Sequence, residues 1–341
     1  MNIVVIGGGT GSTVVLEGLK KYRELHLSVI VGMMDDGGSN AVVRDEFGML
    51  PLSDVRKSIL ALSEDNESNY LRKLLTYRYS GCDNLSGHTL GNLLMVAMSD
   101  ILGSEIEAID TLSQMFGVRG SVIPVTLDDV RLVAEYDDGT KIVGEHYIDE
   151  PEKDINIVKF YLNGKAQAFP RAIQAIKDAD YIILGPGDLY TTLLPNLLVD
   201  GVGKAIKKSH AKIVYISNLM TKIGQTRHKS VKDIVEIIEG YVGRNLDYVL
   251  LNNGRIPKEA FQRYIEDGEN LIKDDMEDCN DCVIIRKDLV ANDDIKQEKG
   301  DTLKRSFVRH DSQKVGKALS RIFTKNPLGR FFRNIFGQYA D

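Results

Sequence analysis

Short runs of β-branched and aliphatic residues alternate along this chain with longer segments whose apolar positions recur at helical spacing, a pattern that predicts a layered α/β protein. Residues 2–6 form a short β-branched run closed by Gly7 and read as a fully buried strand. Ser12 to Tyr22 carries Val15, Leu16 and Leu19 on one helical face, and Leu27 to Met33 reads as a second buried strand. Together they predict a right-handed βαβ unit. Ser53 to Ser63 (with Ser53 as candidate N-cap), Ser68 to Tyr79 and the strongly apolar Leu90 to Ile101 read as helices. Val122 to Thr126, Val130 to Tyr136, Lys141 to Val143 and Ile157 to Leu162 then read as strands of a small inserted β region, with Asp138-Gly139 as a tight turn. Alternation returns with helix Ala172 to Ala179, strand Tyr181 to Leu184, helix Leu197 to Lys207 and strand Lys212 to Ile216. Helix Ser230 to Tyr241, strand Asp247 to Leu251 and a final strand Cys282 to Ile285 complete it. The expected fold is a mostly parallel sheet with helices on both faces. Residues 1–320 form one domain in this reading, the inserted β region spans about 120–165, and 321–341 form a basic and aromatic tail.

Composition narrows the function. A net charge of −6 over 341 residues argues against a nucleic-acid binder. No apolar run reaches the roughly 18 residues of a spanning helix. Met1 runs straight into a strand, so no signal peptide is expected. Cysteine is sparse (Cys82, Cys279, Cys282), which fits a reducing compartment, and a cytoplasmic location is expected. Cys279 and Cys282 form a CxxC without the second pair that structural zinc needs; it reads as incidental, with a metal or redox role as the alternative. The tail, with Phe323, Arg330, Phe331, Phe332, Arg333 and Phe336, would be amphipathic as a helix. It is either docked on the body or offered to a protein partner or a membrane surface.

Candidate chemistry lies where strands end. Gly7-Gly8-Gly9-Thr10-Gly11 sits between the first strand and the first helix, where glycines let N–H groups approach a phosphate and the helix N-terminus adds positive charge. Thr10 and Ser12 add hydroxyls. Ser12 stands where a dinucleotide fingerprint has its third glycine, and no Lys follows as a Walker loop requires. After the second strand come Asp35 and Asp36, which can hold a divalent cation such as Mg2+, grip a ribose hydroxyl, or simply close a turn. His88 and Asn92 open the apolar helix, and His88 is an acid/base or capping candidate. Gly185, Gly187 and Asp188 form a second glycine turn, and Asn218 and Asn252-Asn253-Gly254 end two later strands. Arg309 offers a planar fork to a diphosphate, while Asp311 can cap a helix. If the five strands are parallel, their polar ends point into one crevice.

In order, residues 7–11 (GGGTG), 33–39 (MMDDGGS), 87–92 (GHTLGN), 185–201 (GPGDLYTTLLPNLLVDG), 215–226 (YISNLMTKIGQT) and 309–311 (RHD) resemble the YvcK-type gluconeogenesis-factor family. That family is related to the 2-phospho-lactate transferases of deazaflavin cofactor synthesis. The likeness covers about residues 2–320. It implies a Rossmann-like CofD-like core, a cytosolic bacterial protein, binding of UDP-sugars such as UDP-N-acetylglucosamine, and a role in cell shape and wall integrity on gluconeogenic carbon. By motif it makes Thr10, Asn218, Tyr264 and Arg309 UDP-sugar contacts, and sets Asp35 and Asp36 near the metal and reacting phosphate of the transferase branch. Residues 50–56 stand where the family has LPPGD-x-R and keep Asp54 and Arg56; Asp188 stands where many relatives have Ser, adding a charge that repels a phosphate or recruits a cation.

Three functions follow as expectations. The first is a UDP-sugar-binding regulator without turnover, contacting its ligand through Gly8, Gly9, Thr10, Gly11, Ser12, Asp36, Asn92, Gly185, Gly187, Asp188, Asn218, Tyr264 and Arg309. The second is a metal-dependent phospho-transferase of the 2-phospho-lactate transferase type, with Asp35, Asp36 and His88 as catalytic candidates. The third is an NAD-dependent dehydrogenase, which leaves the second glycine turn unexplained. A homodimer is compatible with each.

Overall fold

The computed structural model describes residues 1–64, 70–81, 85, 87–151, 154–277, 282–292 and 306–325. Cys82 and Cys279, and the tail beyond Lys325, lie outside the described residues. In chain order the first half runs β1 (Asn2–Gly7), α1 (Gly9–Leu19), β2 (His26–Val31), α2 (Gly38–Phe47), α3 (Ser53–Leu62), α4 (Tyr70–Thr76), α5 (Leu90–Leu102), α6 (Glu105–Met115) and β3 (Ser121–Pro124). The insertion follows as β4 (Leu132–Tyr136), β5 (Lys141–Val143), α7 (Glu145–Asp149) and β6 (Ile157–Leu162). Next come α8 (Pro170–Asp178), β7 (Tyr181–Leu184), a π-helical turn (Leu189–Leu193), α9 (Leu194–Leu198), α10 (Val202–Lys208) and β8 (Lys212–Ile216). The chain closes with α11 (Val231–Val242), β9 (Tyr248–Asn252), α12 (Lys258–Glu266), β10 (Val283–Lys287) and α13 (Ser312–Lys325).

The main sheet has seven strands in the order β10-β9-β8-β7-β1-β2-β3, and every pairing in it is parallel. Past an exposed polar first residue in β1 (Asn2) and β8 (Lys212), the central strands β1, β7 and β8 are buried throughout, as helices on both faces require. The chain winds one way from β1 and the other way from β7. Right-handed crossovers therefore put α1 on one face and α10 and α11 on the other, and the boundary between β1 and β7 is the switch point. The expected Rossmann-like α/β fold is the observed one.

Three local expectations are corrected. Val122 to Thr126 was expected in the inserted β region, but β3 pairs parallel with β2 as the edge of the main sheet. Only β4, β5 and β6 make the small antiparallel sheet. A four-residue apolar run does not encode which sheet it joins. The helix expected over Leu197 to Lys207 is two helices, separated at Gly201 in the left-handed region (φ +99°). Ser53 does not cap α3 but is its first residue, and its hydroxyl donates to Asn40 Oδ1 at 2.8 Å.

The segment after Arg309 docks on the core. α13 packs on α1 so closely that a Cβ on Gly18 would lie 2.1 Å from the Ser312 carbonyl oxygen and one on Gly316 2.2 Å from that of Gly18. Asp311 caps this helix, its Oδ1 accepting from the Lys314 N–H at 2.8 Å. Ile322 and Phe323, the first apolar residues of the expected tail, are buried in the same core. Arg330, Phe331, Phe332, Arg333 and Phe336 lie outside the described residues.

Candidate functional site

The carboxyl ends of β1 and β7 bring the two glycine turns into backbone contact. A Cβ on Gly11 would lie 1.9 Å from the carbonyl oxygen of Pro186, so only glycine permits this approach. Gly9, left-handed at φ +61°, donates its N–H to Asp54 Oδ2 at 2.7 Å. A Cβ on Gly8 would meet the same oxygen at 2.3 Å. An oxyanion thus already sits on the glycine loop, delivered by α3. Thr10 lies half-buried in the first turn of α1, and the buried Ser12 hydroxyl has no hydrogen-bond partner among the described residues.

Asp54 and its neighbours are tuned in opposite directions. Burial pushes Asp54 up, but Lys57 (2.7 Å from Oδ1), the Gly9 N–H and Arg56 outweigh it and hold the carboxyl below its ordinary value. Burial and the nearby Asp54 raise Asp35. Burial, then Asp35, Asp149, Asp36 and Asp54, raise Glu145 well above the usual carboxylate range.

Asp35 and Asp36 diverge, as adjacent side chains do. Asp35 closes a turn, accepting from Gly37 N–H at 2.9 Å and Asn40 Nδ2 at 2.6 Å. Asp36 faces the insertion, accepting from the His146 N–H at 3.0 Å and pairing with Arg131 at 3.2 Å. The two carboxylates thus have different partners, and among the described residues no three His, Cys, Asp or Glu side chains group as a metal site.

His88 and Asn92 belong to a buried polar network behind the acidic loop. Thr89 caps α5, its hydroxyl oxygen accepting from the Asn92 N–H at 3.2 Å. Asn92 Nδ2 donates to Ser53 Oγ at 2.9 Å and Ser39 Oγ at 3.2 Å, and its Oδ1 accepts from Arg56 Nε at 2.8 Å. His88 Nδ1 lies 2.8 Å from Ser39 Oγ. Asn92 holds α2, α3 and α5 in register instead of presenting a free amide to the crevice.

On the other side, Asn218 closes the second glycine turn: its Oδ1 accepts from the Gly187 N–H at 3.1 Å. Gly185 is left-handed (φ +78°). Asp188, the next polar residue, pairs with Lys222 Nζ at 2.8 Å, and the same ammonium pairs with Asp149 of α7 at 2.7 Å. Burial raises Asp188, with Asp149 adding to the effect and Lys222 opposing it. Burial pulls Lys222 down, but the two carboxylates outweigh it and raise its pKa. The cation that Asp188 was expected to recruit is thus supplied by the chain itself. Gln225 completes the cluster, donating to Asp149 at 3.1 Å and Thr191 at 3.2 Å.

The Arg309 segment reaches this side through its neighbour. His310 is buried and hydrogen-bonds the backbone at Ser217; burial drops its pKa to about 4, so the ring is neutral at physiological pH. That contact ties the backbone next to Arg309 to the end of β8, and the Arg309 carbonyl accepts from the Ala291 N–H at 2.9 Å. Tyr264 is tied to the segment before Arg309: its hydroxyl accepts from the Phe307 N–H at 3.1 Å, and its ring packs with Leu219, Met220, Val290 and Val308. The Asn252 turn is closed locally. Its side chain is spent on Gly254 and on the Leu289 N–H at 3.0 Å.

Asp54, Glu145, Asp149 and Lys222 were not among the expected site residues. Asp54 had a signal in its retained Asp-x-Arg motif, and Lys222 lies inside the 215–226 motif. Glu145 and Asp149 had only four-residue spacing on a short helix.

A parallel sheet with glycine turns on both sides of its switch point defines the class: an open α/β protein whose ligand crevice lies at the carboxyl edge. The chain belongs to the CofD family, since the family described as 2-phospho-L-lactate transferase CofD matches residues 3–322. It is 38% identical to the gluconeogenesis factor of Listeria monocytogenes, over 93% of this chain and 94% of that protein. It is 36% identical to the gluconeogenesis factor of Bacillus subtilis, over 93% and 96%. A crystal structure of a Bacillus halodurans protein superposes with a TM-score of 0.83 at 34% identity, covering 93% of this chain and 98% of that one. The resemblance read from the six motifs is correct. No helix among the described residues is long and apolar enough to cross a membrane.

Proposed function

We propose that this protein binds a nucleotide-linked sugar of the UDP-N-acetylglucosamine type and acts as a cytosolic regulator of cell shape and wall integrity during growth on gluconeogenic carbon, without turning its ligand over. The carrying observation is the meeting of two glycine turns across the switch point, with Gly11 against Pro186 and Gly187 on Asn218. Main-chain N–H groups at the start of α1 face the pyrophosphate, taking the place of the Asp54 carboxylate on Gly9. Arg309 supplies a guanidinium from the neighbouring segment, and Thr10, Ser12 and Asn218 supply polar contacts. The names of the Listeria and Bacillus relatives support the gluconeogenic setting.

Magnesium enters this reading as a companion of the diphosphate and not through a preformed cage of Asp35 and Asp36. Calorimetric titration with UDP-N-acetylglucosamine, with and without magnesium, is expected to give saturable binding; no heat at millimolar ligand overturns the proposal. The family description favours a second reading, phospho-transfer of the 2-phospho-lactate transferase type. Phosphorus NMR over a panel of nucleotide diphospho-substrates decides between them, since a new phosphorus resonance appears only if the crevice catalyses transfer.

A further inference from the structure

Resting on the crevice reading above, we propose that Lys222 is a ligand-binding residue, the ammonium that meets the anionic part of the bound molecule on the β8 side of the crevice.

Three observations carry this. Lys222 lies four residues beyond Asn218, and its Nζ reaches Asp188, the residue next to the Gly187 N–H that Asn218 holds. The group is thus built onto the glycine turn itself. An ammonium has three donors. Two are given to Asp149 and Asp188, at 2.7 and 2.8 Å, and the third has no acceptor among the described residues. The side chain is 36% exposed, so an incoming oxyanion can reach it.

Charge around the crevice also bears on the assignment. On the β2 side Lys57 pairs with Asp54, Arg131 with Asp36 and Asp45, and Arg44 with Asp129, whereas Lys222 stands beside the second glycine turn. An anionic ligand among Asp35, Asp54, Glu145, Asp149 and Asp188 needs a cation that can still accept a partner. Lys222 is such a group. Two carboxylates on one ammonium also leave a net negative cluster, so the ligand competes with Asp149 for the ammonium. Asp149 is carried by α7, so ligand charge is set against the hold of the inserted β region.

A purely structural lysine makes a different prediction. If Lys222 only clamps α7, then removing Asp149 is as harmful as removing the lysine, and ligand charge is irrelevant. Calorimetry on the native chain, Lys222→Gln, Lys222→Arg and Asp149→Asn separates the two, with UDP-N-acetylglucosamine, uridine and inorganic pyrophosphate as probes and thermal melts as a check on folding. Lys222→Gln is expected to weaken UDP-N-acetylglucosamine and pyrophosphate about tenfold, as for loss of one charge-assisted contact, and to leave uridine unchanged. Lys222→Arg is expected to keep binding within about threefold. Asp149→Asn is expected to bind the charged probes at least as tightly as the native chain. Equal losses for Lys222→Gln and Asp149→Asn, or native affinity in Lys222→Gln, overturn the assignment. Pyrophosphate binding that depends on Lys222, with no binding of UDP-N-acetylglucosamine, keeps the assignment and removes the nucleotide-sugar reading. Failure of the native chain to bind either anion overturns both.

Discussion

The two sides of the crevice are built on different principles. Where β1, β7 and β8 end, the approach of the two turns is set by backbone: Gly11 touches the Pro186 carbonyl, and the Gly187 N–H is held by Asn218 Oδ1, with the Asp149–Lys222–Asp188 cluster beside it. Where β2, α3 and α7 meet, it is made by side-chain charge: Asp54 is pulled down by Lys57 and the Gly9 N–H against burial, while burial and their neighbours raise Asp35 and Glu145. Backbone contact at van der Waals limits tolerates no added atom, so its failures are steric and steep. A set of interacting carboxylates responds in degrees, and its responses depend on pH.

The sharpest test of that contrast is Gly11→Val. A backbone carbonyl 1.9 Å from the new Cβ has no room to yield. The variant is expected to lose roughly 3 kcal/mol in urea denaturation and to show no calorimetric binding of UDP-N-acetylglucosamine. Gly8→Ala is the paired control, because its Cβ meets the end of the Asp54 side chain, which can swing aside. A Gly11→Val chain that folds and binds normally would break the comparison.

Asn92→Leu comes next. It removes one hydrogen-bond partner each from the buried Arg56 guanidinium and the Ser53 and Ser39 hydroxyls, which stay bonded to the Leu75 carbonyl, Asn40 and His88. A loss of about 2 kcal/mol is expected from the three lost hydrogen bonds, with urea denaturation or a thermal melt as readout and ligand affinity reduced only indirectly.

The carboxylates sharpen the comparison through pH. Glu145 is raised on folding, so the native state holds its proton more tightly and stability falls as pH rises through its folded value. Glu145→Gln removes that loss. It is expected to be more stable than the native chain near neutrality, the gap closing as pH falls toward the ordinary glutamate value of 4.5. Asp54 has the opposite sign: its lowered pKa adds stability above the unfolded value, lost as pH falls, so Asp54→Asn is destabilised near neutrality and converges with the native chain in acid. Urea unfolding across that range checks both, and slopes of the same sign would refute the opposed tuning. The smallest effect is expected for Arg131→Gln. Its pair with Asp45 is exposed, and the buried Asp36 keeps the His146 N–H, so the loss is about 1 kcal/mol.

Much of this was readable before the chain was folded. Strand β1, the glycine turns and the helices with clear 3.6-residue periodicity stand in the sequence because burial on both faces demands continuous apolar runs and close backbone approach demands glycine. Helices α2, α6, α7 and α12 were not seen. α12 buries no residue fully, although Phe261 and Tyr264 pack on a small apolar cluster, and α7 is only five residues long, too short to show a helical period.

Among the candidate site residues, type and motif marked Thr10, Asn218 and Arg309, but not what their neighbours would be. Asp35 and Asp36 look alike in sequence, yet one closes its own turn and the other crosses to Arg131. Local sequence determined where phosphate-sized gaps in side-chain cover occur, since φ preference and missing Cβ atoms are properties of single residues. Only the tertiary structure decided which charges share those gaps. Asp54, Glu145, Asp149 and Lys222 come from α3, α7 and the loop after β8, and Coulomb interaction depends on separation in space, which residue order does not encode.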